Sequence, residues 1–184
     1  MIFDFRKIKN AITPLKIQNE DVEIVTEYKY LGAFIDDKLD WNVNTQHVCR
    51  KANQRLYFLR KLKSFQVDRD ILFLFYESVI QSVISFSCIV WFNCLTNKNL
   101  QKLKRITRTA SRIIGVNVKE LGDIYEKALL AKLDLIRGDR THPLNSMVNY
   151  SRSGRMVPPF VRTNRYKFSF LPSAIRVFNE RFVR

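Results

Sequence analysis

The chain has little with which to hold a metal. Three cysteines and two histidines are all that its 184 residues contain. Cys49, Cys88 and Cys94 do not fall at zinc-ligand spacing, and the fragment C-I-V-W-F-N-C is too sparse for a knuckle. They read instead as buried free thiols in a reducing compartment. No H-x-D pair with a distal histidine occurs, which excludes a facial-triad iron oxygenase. Five glycines build no glycine-rich phosphate loop, and neither G-x-S-x-G nor H-E-x-x-H is present. The N-terminus M-I-F-D-F-R-K has no basic region, apolar core and cleavage site in succession, so an intracellular chain, nuclear or cytoplasmic, is expected. No cofactor is expected.

Acidic side chains are also scarce, and unevenly so. Residues 1–40 carry 6 Lys and Arg against 8 Asp and Glu, whereas residues 41–184 carry 26 against 9. A surplus confined to one part of the chain points to a polyanionic partner, most simply nucleic acid; a basic membrane-surface protein is the competing reading. What the chain has in quantity is core material, with 46% apolar residues and 14 Phe. From Ile71 to Phe92 the only charge is Glu77. Ser78, Gln81, Ser82, Ser85 and Ser87 are spread through that stretch, which makes a fully buried core helix the better reading than a membrane span.

The period of the apolar residues organises the chain. Ile2–Arg6 alternates as a short strand, Leu15–Gln18 and Val22–Val25 flank the turn N-E-D as a hairpin, and Tyr28–Leu31 and Ala33–Ile35 extend the same sheet around Gly32. After Trp41 the period becomes helical. Val48, Ala52, Leu56, Leu59 and Leu62 form one stripe, with Asn44 or Thr45 as its N-cap, and Asp68 caps the apolar helix that follows. A third helix begins in T-N-K-N-L, buries Leu100, Leu103, Ile106, Ala110 and Ile113, and ends at Gly115. A fourth runs from Glu120 to Ile136. The rest reads as loop until Pro172 opens a short helix at its first position. The expected fold is α+β, mostly α: a small N-terminal antiparallel β unit (1–41), a helical bundle (42–138) and a basic loop-rich C-terminal segment with a short helix (139–184).

Asp36 and Asp37 are the first candidate site, because paired carboxylates at a strand end can hold magnesium. Adjacent residues on a strand point to opposite faces, and Asp40 is poorly placed as a third ligand. A turn in which Asp36 or Asp37 caps backbone amides is the stronger reading. His47 falls on a helix and His142 in a loop. The basic helices remain. Arg50, Lys51, Arg55, Arg60, Lys61 and Lys63 run without an acid among them, and Lys102, Lys104, Arg105, Arg108 and Arg112 lie on the outer face of the third helix. Of these, Arg50, Lys51, Arg55, Lys61, Lys102, Arg105, Arg108 and Arg112 are the candidate nucleic-acid contacts. Tyr57, Phe58 and Tyr166 are interleaved aromatics able to stack on bases, although core packing accounts for most of them.

Beyond these features, D-F-R, I-Q-N-E-D-V-E-I-V and Y-K-Y-L-G-A-F-I-D-D-K-L-D-W resemble LINE-type (non-LTR) retrotransposon reverse transcriptases. So, in order, do K-A-N-Q-R-L-Y-F-L-R-K-L-K, F-Y-E-S-V-I-Q-S-V-I-S-F-S-C-I-V-W-F, L-Q-K-L-K-R-I-T-R-T-A-S-R-I-I-G, D-I-Y-E-K, T-H-P-L and S-F-L-P-S-A-I-R-V-F-N. The resemblance implies the end of the palm, a thumb-like bundle and the segment beyond it. The family's Y-x-D-D motif and its partner aspartate belong upstream of these pieces and do not occur in them. It follows that the chain is expected to be a catalytically inactive fragment, and not an enzyme by itself. RNA or an RNA–DNA duplex, bound weakly and without sequence preference, would be its partner, with no small molecule and no membrane. Thr45–Lys63 is also similar to the N-terminal module of alkylation-repair homologue 8 proteins, which are iron- and 2-oxoglutarate-dependent tRNA modifiers. That gives the alternative of an interaction module; a decayed element without selected function is a further one.

Overall fold

The computed structural model describes residues 1–6 and 13–182. It is α+β, mostly α, with the strands at the N-terminal end and the helices after them. The strands form two separate antiparallel pairs and not one sheet. β1 (Lys16–Ile17) pairs with β2 (Glu20–Asp21), and β3 (Glu27–Tyr30) with β4 (Ala33–Asp36). The first turn is Gln18–Asn19 rather than N-E-D, one residue earlier than expected. Both its residues take positive φ, as a two-residue hairpin turn demands. Leu31 and Gly32 do the same between β3 and β4. The Cβ of any other residue at Gly32 would meet the Phe86 ring at 3.2 Å. Ile2–Arg6 is not a strand: no described segment pairs with it. Its Phe5 ring instead lies 3.4 Å beneath the Arg165 guanidinium.

α1 (Asn42–Ser64) starts earlier than the expected caps allow. Asn44 and Thr45 are buried inside its first turn. The Asn44 side-chain oxygen accepts from the Phe34 amide at 3.1 Å, and the Thr45 hydroxyl donates to the Trp41 carbonyl at 2.8 Å. Trp41 holds the N-cap position in a left-handed conformation without a side-chain cap bond, and Asp40 before it accepts from the Asn42 amide at 2.9 Å. A residue expected to start the helix thus ties the β3–β4 hairpin onto it.

The apolar segment is an interrupted helix. Asp68 caps α2 (Arg69–Phe75) as expected, accepting from the Asp70 amide. A π-helical stretch, Tyr76–Gln81, then leads into α3 (Ser82–Ser85). Leu72, Tyr76, Ile80, Ile84 and Cys88 are all buried. A strict four-residue step overshoots an α-helical turn by about 40° each time. The wider i→i+5 turn takes up that drift and keeps Leu72, Tyr76, Ile80 and Ile84 on one face. At Ser87, which is left-handed, the chain breaks before α4 (Cys88–Trp91). Arg69–Cys94 has the length and apolarity of a membrane-crossing helix, and 22% of its most apolar 18-residue stretch is buried in the protein. The expectation of a fully buried helix is therefore corrected. One face is core, while Ile71, Leu74, Phe86 and Val90 are exposed. The serines of the outer face spend their hydroxyls on the helix itself, Ser78 on the Leu74 carbonyl and Ser82 on that of Ser78.

Thr96 caps α5 (Asn97–Ile114), and Gly115 ends it in the left-handed conformation. Its buried stripe is Asn99, Leu103, Ile106, Thr107, Ala110 and Ile114, displaced by a residue at each end from the expected one. The displacement lets Asn99 donate to the Asn42 side chain at 2.6 Å, joining the first turns of α5 and α1. α6 (Leu121–Gly138) follows where the fourth helix is expected, and runs two residues beyond Ile136. The C-terminal segment holds a short α7 (Asn164–Lys167) and α8 (Phe170–Phe182), which begins two residues before Pro172. Leu171, Ala174, Ile175 and Val177 of α8 enter the same core as α1, α5 and α6. Asn179 locks the preceding loop to α8 by bonding both the amide and the carbonyl of Met156 at 2.9 Å.

Tyr76 lies in the middle of this core. Burial, with a smaller contribution from Glu77, pushes its phenol up to about 12. The unfolded phenol ionises near pH 10, so the folded state holds the proton more tightly. The resulting stability is fully present below about pH 10 and is lost as the pH rises towards 12. Two units correspond to about 3 kcal/mol. Urea denaturation between about pH 9 and 12 should show Tyr76→Phe losing less stability than the wild type on the alkaline side. Equal losses would place the alkaline sensitivity elsewhere.

Candidate nucleic-acid interface

Asp36 is a capping residue. It is buried at the end of β4, and one carboxylate oxygen accepts from the amides of Lys38 at 3.0 Å and Asp40 at 3.2 Å. Asp37 stands on the other side of the strand end, its amide bonded to the Thr26 carbonyl at 2.9 Å. Among the described residues, no three His, Cys, Asp or Glu side chains converge as metal ligands. His47 stacks on Phe34 with centroids 3.7 Å apart, and His142 accepts the Leu144 amide at 3.1 Å within its own loop. Asp36→Ala would leave two partly buried amides without an acceptor. A loss of about 1–3 kcal/mol is expected in urea denaturation, and a neutral substitution would show that the turn does not depend on this carboxylate.

The basic residues take their positions from the two stripes. α1 and α5 contain no acidic residue, and they pack along each other. Between them lies a groove of about 320 Å³ with Leu56 and Ile106 in its lining and Arg60, Lys102 and Arg105 at its edges. Cys49 lies in the same groove; burial pushes its thiol up, and Lys102 partly offsets this. Arg108 and Arg112 continue along α5 to an open hollow at Gly115. Arg50 and Lys61 are exposed on the outer face of α1.

Lys51 and Arg55 are directed elsewhere. They line a separate hollow of about 370 Å³ between α1, the β3–β4 hairpin and α3, together with His47 and Phe86. Arg55 is half-buried and donates to the Val79 carbonyl inside the π-helical stretch. The eight candidates thus form a group along α5 and the α1–α5 groove, a pair on the crest of α1, and a pair facing the hairpin. Ion pairs among the described residues join Arg6–Asp4, Lys16–Asp21, Lys119–Glu77, Arg137–Asp134 and Arg181–Glu126, and involve none of the eight.

Arg60 belongs to the groove although it is not among the eight. Its spacing of four from Leu56, on the flank of the buried stripe, is the signal that places it there. Tyr57 and Phe58 correct the sequence reading in the opposite sense. Core packing does not account for them, since both rings are more than half exposed, whereas Tyr166 is partly buried.

Residues 41–82 match the family described as alkylated DNA repair protein alkB homolog 8, N-terminal. The matched segment is longer at both ends than the similarity expected over 45–63. It runs from Trp41 through α1, α2 and the π-helical stretch to Ser82, the first residue of α3. Neither a curated protein nor a solved structure matches the chain, and no comparison points to a reverse transcriptase. The part of the chain with a family likeness is therefore the helical pair that carries Arg50, Lys51, Arg55, Arg60 and Lys61, similar to the alkB homolog 8 N-terminal region.

Proposed function

We propose that this chain is a non-catalytic module that binds nucleic acid through the phosphate backbone, weakly and with little dependence on sequence. The observation that carries the reading is the groove between two adjacent helices that hold twelve Lys and Arg and no acid. A solvated basic face needs no such concentration, and no described acid neutralises the groove-facing residues. RNA or an RNA–DNA duplex is the proposed ligand. As to origin, we read the chain as the palm-end, thumb and post-thumb portion of a LINE-type reverse transcriptase. The support is the order of its motifs and the succession of a Y-K-Y-L-G hairpin and basic helices.

Mobility shift of an RNA–DNA duplex at low salt tests the binding. A shift that weakens steeply with salt is expected, and its absence at low salt would overturn the proposal. Templated primer extension by the purified chain with magnesium would overturn its non-catalytic part. A second reading has its own observation, the family match over 41–82. On that reading the helical pair is an interaction module for an acidic protein surface. Poly-glutamate that displaces the duplex at equal charge would favour it.

A further inference from the structure

The outer face of α1 differs in kind from the groove beside it. Arg50, Gln54, Tyr57, Phe58 and Lys61, followed by the C-cap residue Phe65, succeed one another along the side opposite the buried Ala52, Leu56 and Leu59, and all six are exposed. The three rings are 54%, 56% and 75% exposed. Tyr57 and Phe58 meet edge to face at 5.6 Å, and the Lys61 ammonium sits 5.9 Å from the Tyr57 centroid. Large apolar side chains left in water along one helix face mark a contact surface. The distance from Arg50 to Phe65 is about 22 Å along the axis. This crest carries rings, cations and an amide but no aliphatic side chain, a composition suited to stacking flat π-systems between charged groups.

We infer that the crest of α1 binds single-stranded nucleic acid, with unpaired bases stacking on Tyr57, Phe58 and Phe65 and with Arg50 and Lys61 on the flanking phosphates. A paired duplex buries its base faces and cannot use the rings, so the crest selects single strands while the groove takes either form. The inference rests on the nucleic-acid reading above. Its charge is complementary to a strand's phosphates, and its exposed faces are those that stack on every base.

The test uses the full chain, an oligoadenylate containing a fluorescent adenine analogue, a blunt duplex, and phosphatidylserine vesicles. Tyr57→Leu with Phe58→Leu keeps the apolar bulk and removes the stacking faces. Single-strand affinity should fall by about tenfold per ring and quenching of the analogue should be lost, while duplex affinity and the circular dichroism spectrum stay unchanged. Unaltered oligoadenylate binding in the double variant would overturn the crest and leave the groove standing. If the wild type binds neither nucleic acid at low salt, both readings fall together. Vesicle binding tighter than oligonucleotide binding, and retained by the leucine variant, would make the face a lipid contact and overturn the inference.

Discussion

Binding to an RNA–DNA duplex is expected to weaken about a thousandfold between 50 and 200 mM salt. The groove and its continuation along α5 supply Arg60, Lys102, Arg105, Arg108 and Arg112, and the adjoining crest adds Arg50 or Lys61. About six phosphate contacts give log K a slope near −5 against log salt, from counterions released on binding. Replacing Arg105 and Arg108 together by Gln should flatten that slope by about two units and leave the fold intact, since both side chains lie off the buried stripe of α5. Arg55 serves as an internal contrast. Its guanidinium is spent on the Val79 carbonyl, so Arg55→Gln should lower stability while changing the slope little. A salt titration of the wild type and both variants decides among these. A slope indifferent to Arg105 and Arg108 would remove the groove from the interface.

Trp91→Ala should remove much of the protein's stability, about 3–5 kcal/mol against a typical total of about 5–15 kcal/mol. Trp91 is among the largest fully buried side chains, and its indole N–H donates to the Phe86 carbonyl at 3.0 Å. That bond spans the break at Ser87 and satisfies a carbonyl that the interrupted helix leaves free. Trp91→Phe fills most of the space without the donor, and a smaller loss of about 1–3 kcal/mol is expected from the unpaired carbonyl. In both variants Trp41 remains as the sole tryptophan, so its fluorescence can follow urea unfolding. If Trp91→Ala cost less than about 1 kcal/mol, the break would not be anchored from the core, and the segment would be free to continue as a helix.

Asp68 capping α2, Gly115 ending α5 and the amphipathic runs of α1 and α5 each depend on residues within a few positions of one another, so spacing alone shows them. Asp36 as a turn cap is legible for the same reason, since both amides it accepts from lie within four residues of it. Several failures came where the partner is distant. The N-terminal alternation of Ile2–Arg6 has the strand period but no described segment to pair with, and the two hairpins do not join, because period 2 says nothing of what lies alongside. Pro172 marks a helix start, yet the helix begins two residues sooner because the Ser173 amide reaches back to the Ser169 carbonyl.

The sequence by itself determined the fold class, the separation of charge after residue 40 and the absence of acid from α1 and α5. All three are properties of composition and period. Only the tertiary structure decided which basic residues share a surface. Helix spacing puts Arg50, Lys51 and Arg55 on the outside of α1, but the hairpin docked through Asn44 claims Lys51 and Arg55, and α5 claims Arg60. It also decided that Tyr57 and Phe58 stay in water and that the apolar segment presents one face rather than all of itself to the core. A helical wheel gives an angle, and burial at that angle depends on a neighbour that the local sequence does not name.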